Sequence, residues 1–189
     1  MEQLAAQNLE IQVLINNAGF ANYGNFSENS LDAEMALLQV NIVALTKLTK
    51  LILPTMLKNK SGKIMNLASM AAFVSGPQMA VYYASKAYVL SFSEALACEL
   101  EGTGITVTVV CPGATQTEFQ ERAGLGRSKL FSMVKPMNST TVAEEGYRGM
   151  MHGETIVITG AMNKLMAFAT KLTPRSVSTR LIKRIQAAR

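Results

Sequence analysis

The sequence predicts an α/β fold, a doubly wound parallel sheet covered by helices on both faces, and three observations carry that prediction. Residues 11–15, 63–67 and 105–110 are short, apolar, β-branched runs that read as strands buried on both faces. Between them lie stretches whose apolar residues recur every three or four positions, as on an amphipathic helix. Turn formers close the strands: Asn16, Asn17 and Gly19 after the first, Pro112 and Gly113 after the third. Strand and helix alternating at this spacing are successive βαβ units.

Taken in order, the first strand runs into the Asn16-Asn17 loop. A long helix over residues 30–58 follows, with Leu31, Met35, Leu38, Ile42, Leu45, Leu48, Ile52 and Met56 as its stripe and Ser30 as its cap. The second strand leads through a loop to a helix over residues 80–100, and the third strand follows the Gly102 to Gly104 turn. A polar excursion over residues 114–153 is long for a plain connection and reads as a lid or substrate loop. Residues 155–158 give a last short strand, and the tail reads as two helices broken at Pro174, with Thr173 capping the second.

Composition excludes several classes. A chain of 189 residues with 49% apolar content is expected to form one domain. Lys47, Lys50 and Lys58 interrupt the most apolar stretch, residues 40–57, so no membrane-crossing segment is expected. Residues 1–10 carry two acids and no basic region, so no targeting peptide is expected and the compartment expected is the cytoplasm. Cys98 and Cys111 are too few for a disulfide framework or a metal site; both read as small core residues, and no metal is expected. The net charge of +5 is uneven: residues 161–189 hold seven Lys or Arg and no acid. With no basic stripe in the body, nucleic acid is not an expected partner. The tail's cations together with Leu165, Met166, Phe168 and Leu172 suit an anionic membrane surface, although packing on the body with the charges in water is the preferred reading.

The chemistry-bearing residues are Ser69, Tyr82 and Lys86. Tyr82 and Lys86 stand four apart and share one helix face, and Ser69 lies 13 positions upstream at the end of a strand. An ammonium beside a phenol favours the phenolate and lowers its pKa from about 10, which makes Tyr82 a general acid/base. Ser69 sits where ligands gather in open α/β sheets and can hydrogen-bond a carbonyl or alkoxide oxygen. Such a set suits hydride transfer to a ketone. A Tyr and a Lys at this spacing also occur as a half-buried ring beside a snorkelling amine, so the pair gains its weight from the surrounding residues.

With those surroundings, residues 11–160 resemble the short-chain dehydrogenase/reductase family. Asn16-Asn17-Ala18-Gly19 is similar to the family's motif that steadies the sheet and lines the cofactor cleft. Asn41 resembles the asparagine that holds a water in the proton relay, and Ser69, Tyr82 and Lys86 resemble the catalytic residues. Pro112-Gly113, with Thr115 and Thr117, resembles the loop packed on the nicotinamide and its phosphate; Thr115 stands where many relatives carry an apolar residue. Only Tyr82 fits the Tyr-x-x-x-Lys spacing, Tyr83 being three residues from Lys86.

The resemblance implies a Rossmann-like fold and an oxidoreductase using NAD or NADP, with NADP slightly favoured, that interconverts a ketone or aldehyde and its alcohol. Tyr82 would move the proton, and Lys86 would also bind the nicotinamide ribose. It implies a homodimer or homotetramer pairing through the two long helices. Residues 1–160 would then be part of the NAD(P)-binding domain, catalytic residues included, and residues 161–189 a basic helical tail. The family's opening βαβαβ units, with their glycine-rich turn, are expected ahead of Asn16, which only 15 residues precede. Gly124-Leu125-Gly126 lies in the polar excursion and does not replace that turn. The chain alone is therefore expected to bind a nicotinamide poorly, and the alternative reading is a non-catalytic interaction or scaffold protein pairing through a bare sheet edge. Met133, Met137, Met150 and Met151, with Phe119 and Phe131, lean towards an apolar or acyl-type substrate.

Overall fold

The computed structural model describes residues 10–119, 123 and 135–186. Its centre is a four-stranded parallel sheet in the order β1-β2-β3-β4, formed by Val13–Asn16, Gly62–Leu67, Ile105–Cys111 and Ile156–Ile158. Register pairs Leu14 with Ile64, Ile64 with Val107, and Val110 with Val157. The predicted strands are all present, within one residue or two of their expected ends.

One long helical rod covers the first face. It begins as α1, Leu31–Leu38, opens into a wider π-type turn over Gln39–Ala44, and continues as α2, Leu45–Asn59. Ser30 caps it as expected, its hydroxyl accepting from Ala33 N at 3.1 Å. The buried line is Glu34 and Leu37 before the wide turn, Asn41 within it, and Leu45, Thr49, Ile52 and Met56 after it. The predicted stripe coincides with it at Leu45, Ile52 and Met56. Elsewhere the inward residue stands one position away, Thr49 for Leu48 and Glu34, Leu37 and Asn41 for Met35, Leu38 and Ile42, and Leu31, Met35 and Leu48 face solvent.

By length and composition residues 31–59 could cross a membrane, contrary to the expectation from the lysines. In this fold the rod lies on the sheet instead. Ile52 and Met56 pack with Leu14, Ile64, Leu96 and Val107.

The α3 helix, Ala80–Glu99, packs beside the rod on the same face, and a short 3-10 turn over Met70–Phe73 precedes it. The turn at Gly104 lies so close to Lys60 O that a side chain there would meet the backbone of the α2 end, and its φ of +83° also requires glycine.

The opposite face is covered by α4, Ser139–His152, inside the segment expected to be an excursion. It packs through Val142, Gly146, Gly149 and Met150, with Gly146 against Val110 and Met65. α4 does not reach β1, where Val13 and Ile15 are 43% and 48% exposed. The tail forms α5, Ala161–Leu172, and α6, Arg175–Gln186. Thr173 does not cap α6: its hydroxyl donates to Ala169 O at 2.9 Å. Cys111 is buried as expected, whereas Cys98 is exposed on the outer side of α3.

Candidate active site

The expected site residues converge at the C-terminal ends of β2 and β3. Those ends are tied together by Ala68 N to Val110 O and Met70 N to Pro112 O, both 2.8 Å. Ser69 stands two residues beyond the end of β2. Its Oγ accepts from Ala71 N at 3.1 Å, which fixes the 3-10 turn, and its hydroxyl is near enough to the Tyr82 phenol to lower its pKa. Tyr82 and Lys86 project from the first turns of α3 into the same place, with Lys86 Nζ 5.9 Å from the Tyr82 ring centroid. That ammonium donates to Leu67 O at 2.7 Å.

Burial governs the titration of this pair. Tyr82 is pushed up to about 12 by desolvation, an effect the Ser69 hydroxyl partly offsets. Lys86 is brought down to about 8 by desolvation, against a smaller raising influence of Cys111. The expected lowering of the tyrosine pKa by the lysine is therefore not what this arrangement produces. The Nζ is held by a carbonyl instead of the phenol oxygen, and the phenol is covered by Phe119, whose ring centroid lies 5.6 Å away.

Asn41 sits in the wide turn of the rod. Its Oδ1 accepts from Phe20 N at 3.1 Å, and its Nδ2 donates to Phe20 O and to Ser85 Oγ, both at 3.0 Å. Ser85 Oγ in turn donates to Tyr82 O at 2.7 Å. With both amide protons engaged by protein, the Asn41 side chain locks the loop after β1 to the helix carrying Tyr82. Gly19, in that loop, lies close enough to Lys86 Nζ and Asn41 Oδ1 that a Cβ would stand 3.3 and 3.1 Å from them.

The other expected cofactor residues divide by position. Asn16 is buried, its Nδ2 donating to Asn66 Oδ1 at 2.8 Å and to Thr49 Oγ1 at 3.2 Å, so its amide steadies the sheet. Asn17, Ala18 and Gly19 are exposed at the mouth of the site. Pro112 and Gly113 are partly buried, Thr115 Oγ1 donates to Gly113 O at 3.1 Å, and Thr117 Oγ1 accepts from Phe119 N at 3.3 Å.

These residues suit the nicotinamide-ribose end of a dinucleotide. Lys86 uses one of its three protons on Leu67 O and keeps donors for sugar hydroxyls, and the Asn17 to Gly19 backbone lies open beside it.

Several contributors were not singled out in the sequence. Ser85 lies inside the Tyr82 to Lys86 run, and its position three residues after Tyr82 was the available signal. Asn66 joins Asn16 to α3 by donating to Ser93 Oγ at 2.9 Å. Gln186 at the end of α6 is buried, its Nε2 donating to Tyr83 Oη at 2.6 Å while its carbonyl accepts from Tyr23 Oη at 2.6 Å. Of the residues expected to shape the substrate space, Phe119 does touch Tyr82. Met150 is instead on the buried side of α4, Met151 faces solvent on that helix, and Met137 packs at Thr159 and Asn163. Phe131, Met133 and Gly124-Leu125-Gly126 lie outside the described residues. Among the described residues no cluster of metal-ligating side chains occurs.

Comparison with known proteins agrees with this geometry. The family model for short chain dehydrogenases matches residues 1–127. A ketoacyl reductase, HetN, of Nostoc sp. is 35% identical over 172 residues, which cover 88% of this chain and 60% of that protein. Among solved structures, a short-chain dehydrogenase from Sphingobium yanoikuyae in complex with NADPH superposes with a TM-score of 0.75 at 29% identity, over 95% of this chain and 67% of that one. A 7beta-hydroxysteroid dehydrogenase superposes with a TM-score of 0.81 at 25% identity, over 95% of this chain and 70% of that one. The chain belongs to the short-chain dehydrogenase family, and it spans 60% of the length of its Nostoc relative.

Proposed function

We propose that the protein of which these residues form the catalytic part is a nicotinamide-dependent oxidoreductase that interconverts a ketone or aldehyde and its alcohol. The observation that carries this reading is the meeting of Ser69 and Tyr82, with Lys86 anchored beside them, at the sheet's C-terminal end. NAD or NADP, when bound, exchanges the hydride with the substrate carbon. Ser69 and Tyr82 together bind the substrate oxygen, and Tyr82 gives its proton to that oxygen in reduction or takes it in oxidation. Lys86 binds the ribose and stabilises the phenolate that proton loss leaves behind. Asn41 and Ser85 hold Tyr82 in place and do not touch the reacting atoms.

The substrate class favoured is an apolar ketone or ketoacyl group. Tyr82 belongs to an apolar cluster with Ala21, Met79 and Ala123, against which Phe119 and Ile182 pack, and the name of the Nostoc relative points the same way. A homodimer or homotetramer formed through the rod and α3 is part of this reading, supported by exposed Leu48, Leu51 and Tyr88.

The test is nicotinamide turnover with ketones, aldehydes and ketoacyl thioesters, comparing wild type with Tyr82→Phe. Loss of general acid catalysis lowers turnover by a factor of about 100 or more. Unchanged turnover would overturn the assignment. A second reading, a non-catalytic protein pairing through β1, is favoured by the exposure of Val13 and Ile15. Concentration-dependent oligomers without carbonyl turnover would select it.

A further inference from the structure

Both tail helices leave large apolar residues outside, and α5 packs with its polarity inverted. α5 meets the body through Asn163, Ala167 and Thr170, small or polar residues that share one side of the helix at about 100° per residue. Its opposite side carries Leu165, Phe168 and Leu172, which are 61%, 61% and 73% exposed, with Met162 at the margin. α6 turns Ile182 and Gln186 to the cluster around Tyr82 and Tyr83, yet leaves Val177 and Leu181 more than half exposed on the outside. An ordinary surface helix buries its large apolar residues and exposes the small and polar ones.

Charge selects what covers this surface. Lys164, Lys171, Arg175, Arg180, Lys183 and Arg184 surround the apolar residues, and residues 161–186 contain no acid. Among the described residues none of the six is paired with a carboxylate. A second copy seated face to face would set these cations against their like. A layer of anionic headgroups over acyl chains complements both features, accepting the apolar side chains at the headgroup boundary and the ammonium and guanidinium groups at phosphate level.

We propose that α5 and α6 form a peripheral docking surface for an anionic phospholipid bilayer. This surface is defined by its own exposure and charge and does not depend on the redox reading.

The test is co-sedimentation of the chain with vesicles of phosphatidylcholine, with or without phosphatidylglycerol. Binding is expected only with phosphatidylglycerol, to fall with added salt, and to weaken about five-fold for each of Lys171→Ala and Arg180→Ala. Leu165→Glu with Phe168→Glu should abolish it, whereas Phe26→Glu, at an exposed site in the loop before α1, should leave it intact. The sequence has no tryptophan, so Phe168→Trp supplies a single indole whose emission should shift to the blue on binding. Circular dichroism establishes that each variant is folded. Failure of the folded wild-type chain to bind at low salt, or equal binding to both vesicle types, would overturn the proposal. So would a concentration-dependent dimer that Leu165→Glu dissolves, which would assign the surface to a second copy.

Discussion

Lys86 makes the electrostatics of the site measurable. Its side chain is 5% exposed, and burial lowers its pKa from 10.5 to about 8. Between those values the unfolded chain holds a proton that the folded chain has released, so raising the pH through this window favours the folded state. Below about pH 8 both states carry the proton and the full cost of burying the charge remains. For these two pKa values the folded state gains roughly 2–3 kcal/mol from this group between pH 7 and pH 10.

Tyr82 and Tyr83, both raised by burial, act in the opposite sense above their ordinary value of 10.0. They are present in wild type and in Lys86→Met alike and cancel in the difference. At pH 7 the substitution removes a buried charge but leaves Leu67 O without its partner, two effects of similar size and opposite sign. The slope with pH is therefore the informative quantity. Urea unfolding of both proteins at pH 7, 8, 9 and 10 should show wild type gaining roughly 2–3 kcal/mol relative to Lys86→Met across the range. Parallel curves would refute the claim that Lys86 is buried with a depressed pKa.

Two structural predictions accompany it. Asn41→Ala removes three hydrogen bonds and leaves the Phe20 amide and carbonyl without partners, so unfolding free energy should fall by about 2–4 kcal/mol, with the Phe20 amide exchanging hydrogen faster than the sheet. Full protection at Phe20 in the variant would show that the loop is held by other means. Gly149→Ala places a methyl group against Val157 and should cost about 1–3 kcal/mol by thermal melting, and an unchanged melting temperature would place α4 further from β4.

The strands were legible because a parallel sheet buries both faces and leaves continuous β-branched runs such as 105–110. α4 was not, because it approaches the sheet through Gly146 and Gly149. Close packing by absent side chains leaves no apolar stripe to read. The rod was legible as a helix, but the inward face of its first half was not. Three of the rod's inward positions, Glu34, Asn41 and Thr49, are polar, so the apolar stripe lies beside the buried line instead of on it. Ser69, Tyr82 and Lys86 were found by spacing. Ser85, Asn66 and Ser93 were missed because a buried polar residue on a helix or strand looks the same in sequence as an exposed one until its partner is known.

The same limit explains the one physical argument that reversed. Spacing places an ammonium near a phenol, and proximity alone lowers a phenol's pKa. What spacing cannot supply is the amount of water at the pair, and here burial is the largest influence on both groups, moving each towards its neutral form. A phenol raised towards 12 is a weaker acid than a free one, so in the closed arrangement Tyr82 stays protonated and holds its proton tightly. Loosening that proton requires something that restores positive potential or water at Tyr82. Lys86, about 8 and held on Leu67 O, is the nearest group able to provide it, and displacement of the Phe119 ring from Tyr82 is the movement that would admit water. How readily Tyr82 exchanges its proton therefore depends on how tightly Phe119 covers it, a property of the loop after β3 that the Tyr-x-x-x-Lys spacing does not encode.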